Sequence, residues 1–272
     1  MVRSEAAAMR GMDAIRLVLL AAIWGASFIF IRVAAPVLGP VVTVETRVMI
    51  AGLLLLVYTR LTGLELQIRE RWKLYLAIGT LSSAIPFALI SAAELNLSAS
   101  MAAILNATTP LFGALVAAIW LGDTLTPKKI VGLCVSFVGV IVLVGWSRLG
   151  LTFPVAFSIG ASLLASLTYG IGAAFTKKFA QGAPAMGMAL GSQIGATVFL
   201  APAVPFTLPS AMPPSNVIAC VSALGVFCTG IAYVLYFRLI VDVGPARTLT
   251  VTFWPRSSES FGDGCFWERP SL

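Results

Sequence analysis

An arginine inside an apolar stretch is the first residue here whose type and place point to chemistry. Arg47 lies several residues into the run Val41–Tyr58, which holds one other ionisable group, Glu45. A charge buried in such a segment is costly, so it is by default a candidate for contact with a polar solute. The competing readings are that Arg47 snorkels to the outer interface or pairs with Glu45. Glu94 closes the next apolar run. In a chain with no histidine it is the natural carboxylate to carry a coupled proton, unless it is a solvated helix end. Asn106 and Thr109 lie just before Pro110 in a run, Met101–Leu121, that carries no charge. A mid-helix proline frees backbone groups, which these side chains either satisfy or leave facing a polar cavity. Trp24, Ser27 and Tyr169 combine rings and a hydroxyl that suit stacking on an amphipathic solute, or helix packing beside Gly25 and Gly170. Gln193 and Tyr233 complete the set of candidate binding residues.

The absence of histidine removes His metal sites, His triads and His proton relays. Cys134, Cys220, Cys228 and Cys265 are scattered without ligand spacing or a disulfide framework. No phosphate-binding loop of the G-x-x-x-x-G-K type is present, which argues against an ATP-driven pump. No catalytic residue, metal or cofactor is expected, and a membrane-embedded enzyme is disfavoured.

These groups need elements to hold them, and composition says which. Of 272 residues, 59% are hydrophobic and 11% charged, with mean hydropathy +0.97. Soluble chains are about a quarter charged. The expected fold is therefore all-α, a polytopic transmembrane helical bundle whose first partner is the lipid bilayer. The net charge of +7 does not imply nucleic acid, because the basic residues punctuate apolar spans.

Eight spans can be placed, at about Ala14–Ala35, Val41–Tyr58, Trp72–Ala93, Ser100–Leu121, Ile130–Trp146, Pro154–Phe175, Met186–Val204 and Val217–Leu239. A ninth begins near Ala246, and the first is read as an uncleaved helix, not a signal peptide. With the N-terminus inside, the inner segments hold Arg3, Arg10 and Arg16, then Arg60, Arg69, Arg71 and Lys73, then Lys128 and Lys129, then Lys177 and Lys178, then Arg238 and Arg247. The outer margins hold Arg32 and Arg148, which predicts a cytoplasmic N-terminus in an inner or plasma membrane. The halves also repeat. Trp24-Gly25 matches Tyr169-Gly170 at an offset of 145 (170 − 25), and Gln193 follows Arg47 by 146 (193 − 47). Five spans per copy is odd, so the second copy would be inverted, with a solute site between the halves.

The run from Ser98 to Thr126 resembles the EamA family of the drug/metabolite transporter superfamily. The matching residues are Ser98-Ala99-Ser100, Pro110-Leu111-Phe112 and Leu121-Gly122-Asp123 before Leu125-Thr126, with Pro40, Arg47 and Ala51 in the second span. The resemblance implies ten helices in two inverted five-helix repeats. It further implies a secondary transporter, by expectation an exporter of a small metabolite or drug-like solute, possible as a homodimer. The expected division is a cytoplasmic segment 1–13, a first repeat 14–146, an incomplete second repeat 147–253 and an aberrant tail 254–272.

After Phe253 the composition turns polar, with Arg256, Glu259, Asp263, Glu268 and Arg269 where the ninth span belongs. Shifting the frame by one base allows an apolar reading that ends in G-E-A-L-T. Its proline would fall 146 positions after Pro110 (256 − 110). The expectation is an out-of-frame tail, and the alternative function is a non-functional remnant of a transporter.

Overall fold

A computed structural model of the chain describes residues 11–125, 152–243 and scattered positions between 127 and 142. The described residues form helices, with no strand among them. Six helical runs among them are long and apolar enough to cross a membrane, fewer than the eight or nine expected. The difference has two sources. The first two expected spans fall in one run, Ile15–Thr62, and the fifth has only isolated described positions, which are helical. The ninth span, the tail after Phe253 and residues 1–10 lie outside the described residues.

Helix α1 (Gly11–Thr62) bends at Gly39, with φ 76° and ψ 158°. Pro40 has no N–H and drives the residue before it out of the helical region, and glycine adopts a positive φ without a Cβ clash. Thr43 Oγ1 donates to the Gly39 carbonyl at 2.8 Å, one turn beyond the bend. In a straight helix Trp24 and Arg47 would stand ~35 Å apart. Here Trp24 reaches Cys228 and Arg47 reaches Thr229, so the two arms fold toward one place.

Proline also shapes the next two runs. Helix α2 (Ile68–Gly79) widens into a π-helical turn at Thr80–Ala84 before α3 (Ile85–Ala93). Pro86 supplies no hydrogen for the carbonyl four residues earlier, that of Ser82. Helix α4 (Ala99–Asn106), capped by Ser98, breaks at Ala107–Thr108 and resumes as α5 (Thr109–Leu121). Pro110 leaves the Asn106 carbonyl free in the same way. Helix α6 (Phe153–Phe179) is unbroken. Helix α7 (Ala185–Leu200) tightens into a 3-10 turn at Ala201–Phe206. Helix α8 (Ser215–Gly225) passes through a second π-helical turn, Val226–Ile231, into α9 (Ala232–Val243).

Two glycines set the closest helix contacts. Gly79 of α2 lies against α7, where an added Cβ would stand 2.7 Å from the Ala196 nitrogen. Gly225 of α8 lies against the second arm of α1, where a Cβ would stand 2.6 Å from Ile50 Cβ. Such spacing lets backbones pack without lipid between them. Large apolar residues such as Leu53, Ile119 and Phe153 stay exposed, as a lipid-facing surface requires.

The connections gather at two ends. Lys177 Nζ pairs with Asp123 at 2.9 Å, and Arg71 Nη1 donates to the Gln181 carbonyl at 3.3 Å. At the far end Asn96 Nδ2 donates to Ser158 Oγ at 3.1 Å, and Arg32 donates to the Glu94 carbonyl.

Candidate functional site

The two proline-freed carbonyls border one cleft. The Ser82 carbonyl accepts from the Tyr233 hydroxyl, which itself accepts from Ser83 Oγ at 2.8 Å. Thr109 Oγ1 lies 2.7 Å from the Asn106 carbonyl and 3.3 Å from its Oδ1. Thr109 satisfies local backbone, and both Asn106 and Thr109 line the cleft.

The cleft is narrow and partly open, with about 50 Å³ of free volume. It gathers Trp24, Ser27 and Arg47 from the two arms of α1, Asn106 and Thr109 from the broken run, Tyr169 from α6 and Tyr233 from α9. Aromatic rings tie these elements together. Trp24 stands 5.3 Å from Tyr236 and 6.3 Å from Tyr233, and Phe87 stands 6.3 Å from Tyr169 and 6.2 Å from Tyr233. Trp24 Nε1 also donates to the Cys228 carbonyl at 3.1 Å, so packing and lining are not exclusive roles for it.

Arg47 neither snorkels nor pairs with Glu45. It is 1% exposed, its guanidinium lies 3.8 Å from the Phe87 ring centroid, and Nε donates to Thr229 Oγ1 at 3.0 Å. Glu45, two positions earlier, faces another side of the helix, and its Oε2 has no hydrogen-bond partner. Among the described residues no carboxylate stands at ion-pair distance from Arg47.

Two expected residues lie elsewhere. Gln193 is buried where α7 meets Gly52 of α1, with Nε2 donating to Ser192 Oγ at 3.1 Å, so it is walled off from the cleft. Glu94 lies outside the lining, and its side chain is buried, not a solvated helix end. Sequence reasoning missed Phe87, Ser82 and Tyr236, along with Phe28, Ile31 and Ile90. Pro86 was the available signal for the first two, because a mid-span proline marks where a helix opens.

A crystal structure of a protein 17% identical in sequence superposes with a TM-score of 0.70 over 96% of this chain and 91% of the other, which shows a shared fold. An uncharacterized transporter of Archaeoglobus fulgidus is 23% identical over 224 residues, 82% of this chain and 79% of that protein. An uncharacterized transporter of Bacillus subtilis is 25% identical over 130 residues, 48% of this chain and 43% of that protein. The sequence profile of the EamA-like transporter family matches residues 13–145 and 156–254. With a helical fold of multiple apolar runs and these relatives, the chain belongs to the EamA-like transporter family of the drug/metabolite transporter superfamily, a group of multi-pass membrane transporters and not enzymes.

Proposed function

We propose that the chain is a secondary transporter that passes a small solute through this cleft by alternating access, as an exporter in an inner or plasma membrane with its N-terminus cytoplasmic. One observation carries the reading. Trp24, Arg47 and Asn106 from the first half of the chain meet Tyr169 and Tyr233 from the second around one cleft.

Inverted five-span repeats are part of the proposal, with α1 supplying two spans through its bend. Several pairs favour a common offset. The π-helical turns begin at Thr80 and Val226, 146 apart (226 − 80). Gly79 and Gly225 share that offset (225 − 79), and so do their partners Ile50 and Ala196 (196 − 50). Each glycine thus meets the repeat-equivalent of the other's contact. A pseudo-two-fold of this kind lets one half rock against the other around a central site. The orientation is favoured by the basic character of the end where Arg71 and Lys177 make their contacts.

The test is flux into proteoliposomes with a panel of small organic solutes, comparing the native chain with Ser27→Trp, which fills the cleft. Flux abolished in a folded Ser27→Trp variant supports the reading. Flux that persists there means the cleft is not the path.

A second reading, a remnant that inserts but does not transport, is favoured by the polar composition after Phe253 together with a family match that ends at residue 254. Reading the DNA at the Phe253 codon and comparing export by this chain with export by a frame-restored one separates the two. Equal export by both refutes the remnant.

A further inference from the structure

The cleft is charged on one side only. Among the described lining residues Arg47 is the one charged at neutral pH, and no Asp or Glu is among them; Glu94, outside the lining, acts on Arg47 electrostatically. Its guanidinium has one face on Phe87 and gives Nε to Thr229, while the two terminal nitrogens donate to no described residue. Such a group, 1% exposed, is completed by an oxyanion accepting two parallel N–H bonds on two of its oxygens. The rest of the wall is mostly rings and aliphatic chains, among them Trp24, Phe28, Tyr169 and Ile90.

We propose that the cleft selects organic anions, with one carboxylate or sulfonate head on Arg47 and a compact aromatic or apolar body against the rings. Cations are rejected, because Arg47 repels them and no carboxylate among the described lining residues compensates. Zwitterions bind weakly, because their ammonium finds no acid. The proposal rests on the transport reading of the cleft and narrows it to a substrate class.

Fixed-charge probes with one shared body test it: phenylmethanesulfonate, benzyltrimethylammonium and, as the zwitterion, phenylalanine. Binding to the purified full chain is read from tryptophan fluorescence, and flux from proteoliposomes. The sulfonate should bind at least about tenfold tighter than the ammonium probe. Arg47→Gln should abolish that preference by weakening sulfonate binding about 10- to 100-fold, the size expected for a lost charge-assisted contact. Thermal unfolding and gel filtration check that the variant folds. Where it does not, Arg47→Lys decides: a larger loss for the sulfonate than for the ammonium probe supports the proposal, and equal losses overturn it. Equal binding of the probes, preference for the ammonium, no binding of any probe, or a folded Arg47→Gln with unchanged preference also overturns it. Sulfonate binding that depends on Arg47 but gives no flux upholds the anion site and overturns the transport reading instead.

Discussion

Tyr233→Phe removes one oxygen from a residue that is 2% exposed and leaves its ring in place. The ring contacts with Trp24 at 6.3 Å, Phe87 at 6.2 Å and Phe237 at 5.7 Å do not depend on that oxygen. What is lost is the donor to the Ser82 carbonyl and the acceptor for Ser83, whose side chain is fully buried. An orphaned buried polar group costs about 1–3 kcal/mol in soluble proteins. Interhelical bonds within membranes average about 0.6 kcal/mol and reach about 1.7. Two bonds therefore predict a loss of about 1–3 kcal/mol. The structure adds a sharper expectation. Ser82 needs Tyr233 because Pro86 cannot donate to it. In a Pro86→Ala background the new N–H can serve Ser82, so the same Tyr233→Phe change should cost less, with a coupling of at least about 0.5 kcal/mol. Unfolding in detergent with increasing dodecyl sulfate, followed by circular dichroism, measures all four corners of the cycle. Effects that add within ~0.3 kcal/mol, or a Tyr233→Phe variant as stable as the native chain, refute the claim that proline and tyrosine act through one carbonyl.

Three further expectations concern packing and layout. Gly79→Leu and Gly225→Leu should each cost more than about 2 kcal/mol by overpacking, while Gly160→Leu, which meets nothing within 4 Å, should be nearly neutral; yield of monodisperse protein and unfolding in detergent check this. Lys177→Ala should change stability by less than about 1 kcal/mol, because Lys177 and Asp123 are 44% and 37% exposed, and a measured loss of several times that would mean the pair is shielded from water. In a cysteine-free background, single cysteines at Lys73 and Lys177 should react with an impermeant thiol reagent from one side of the membrane and a cysteine at Leu95 from the other; any other pattern breaks the proposed layout.

The gap between sequence and structure has a physical origin at each residue. Arg47 stood out because charge in an apolar run is costly wherever the run packs. Its partners could not be read, since Phe87 and Thr229 are brought beside it only when the arms of α1 close on α3 and on the π-helical turn after α8. Pro110 marked the opening of its run, but Pro86 does the same beside Ser82 and passed without notice. Gln193 shares the offset of Arg47 yet lies in a helix contact. An offset relates positions along two copies, whereas access to the cleft depends on what each copy's neighbours cover.

By itself, then, the sequence determined that the chain is helical and membrane-bound, that one run opens at Pro110, and which polar residues are too costly to be incidental. Those follow from hydropathy and backbone chemistry, which act locally. Tertiary structure alone decided that Glu94 and Gln193 are walled off and that rings from four helical runs close around Arg47. Burial and partnership depend on which faces meet, and that is settled by close approaches such as Gly79 on α7 and Gly225 on α1, between residues more than a hundred positions apart.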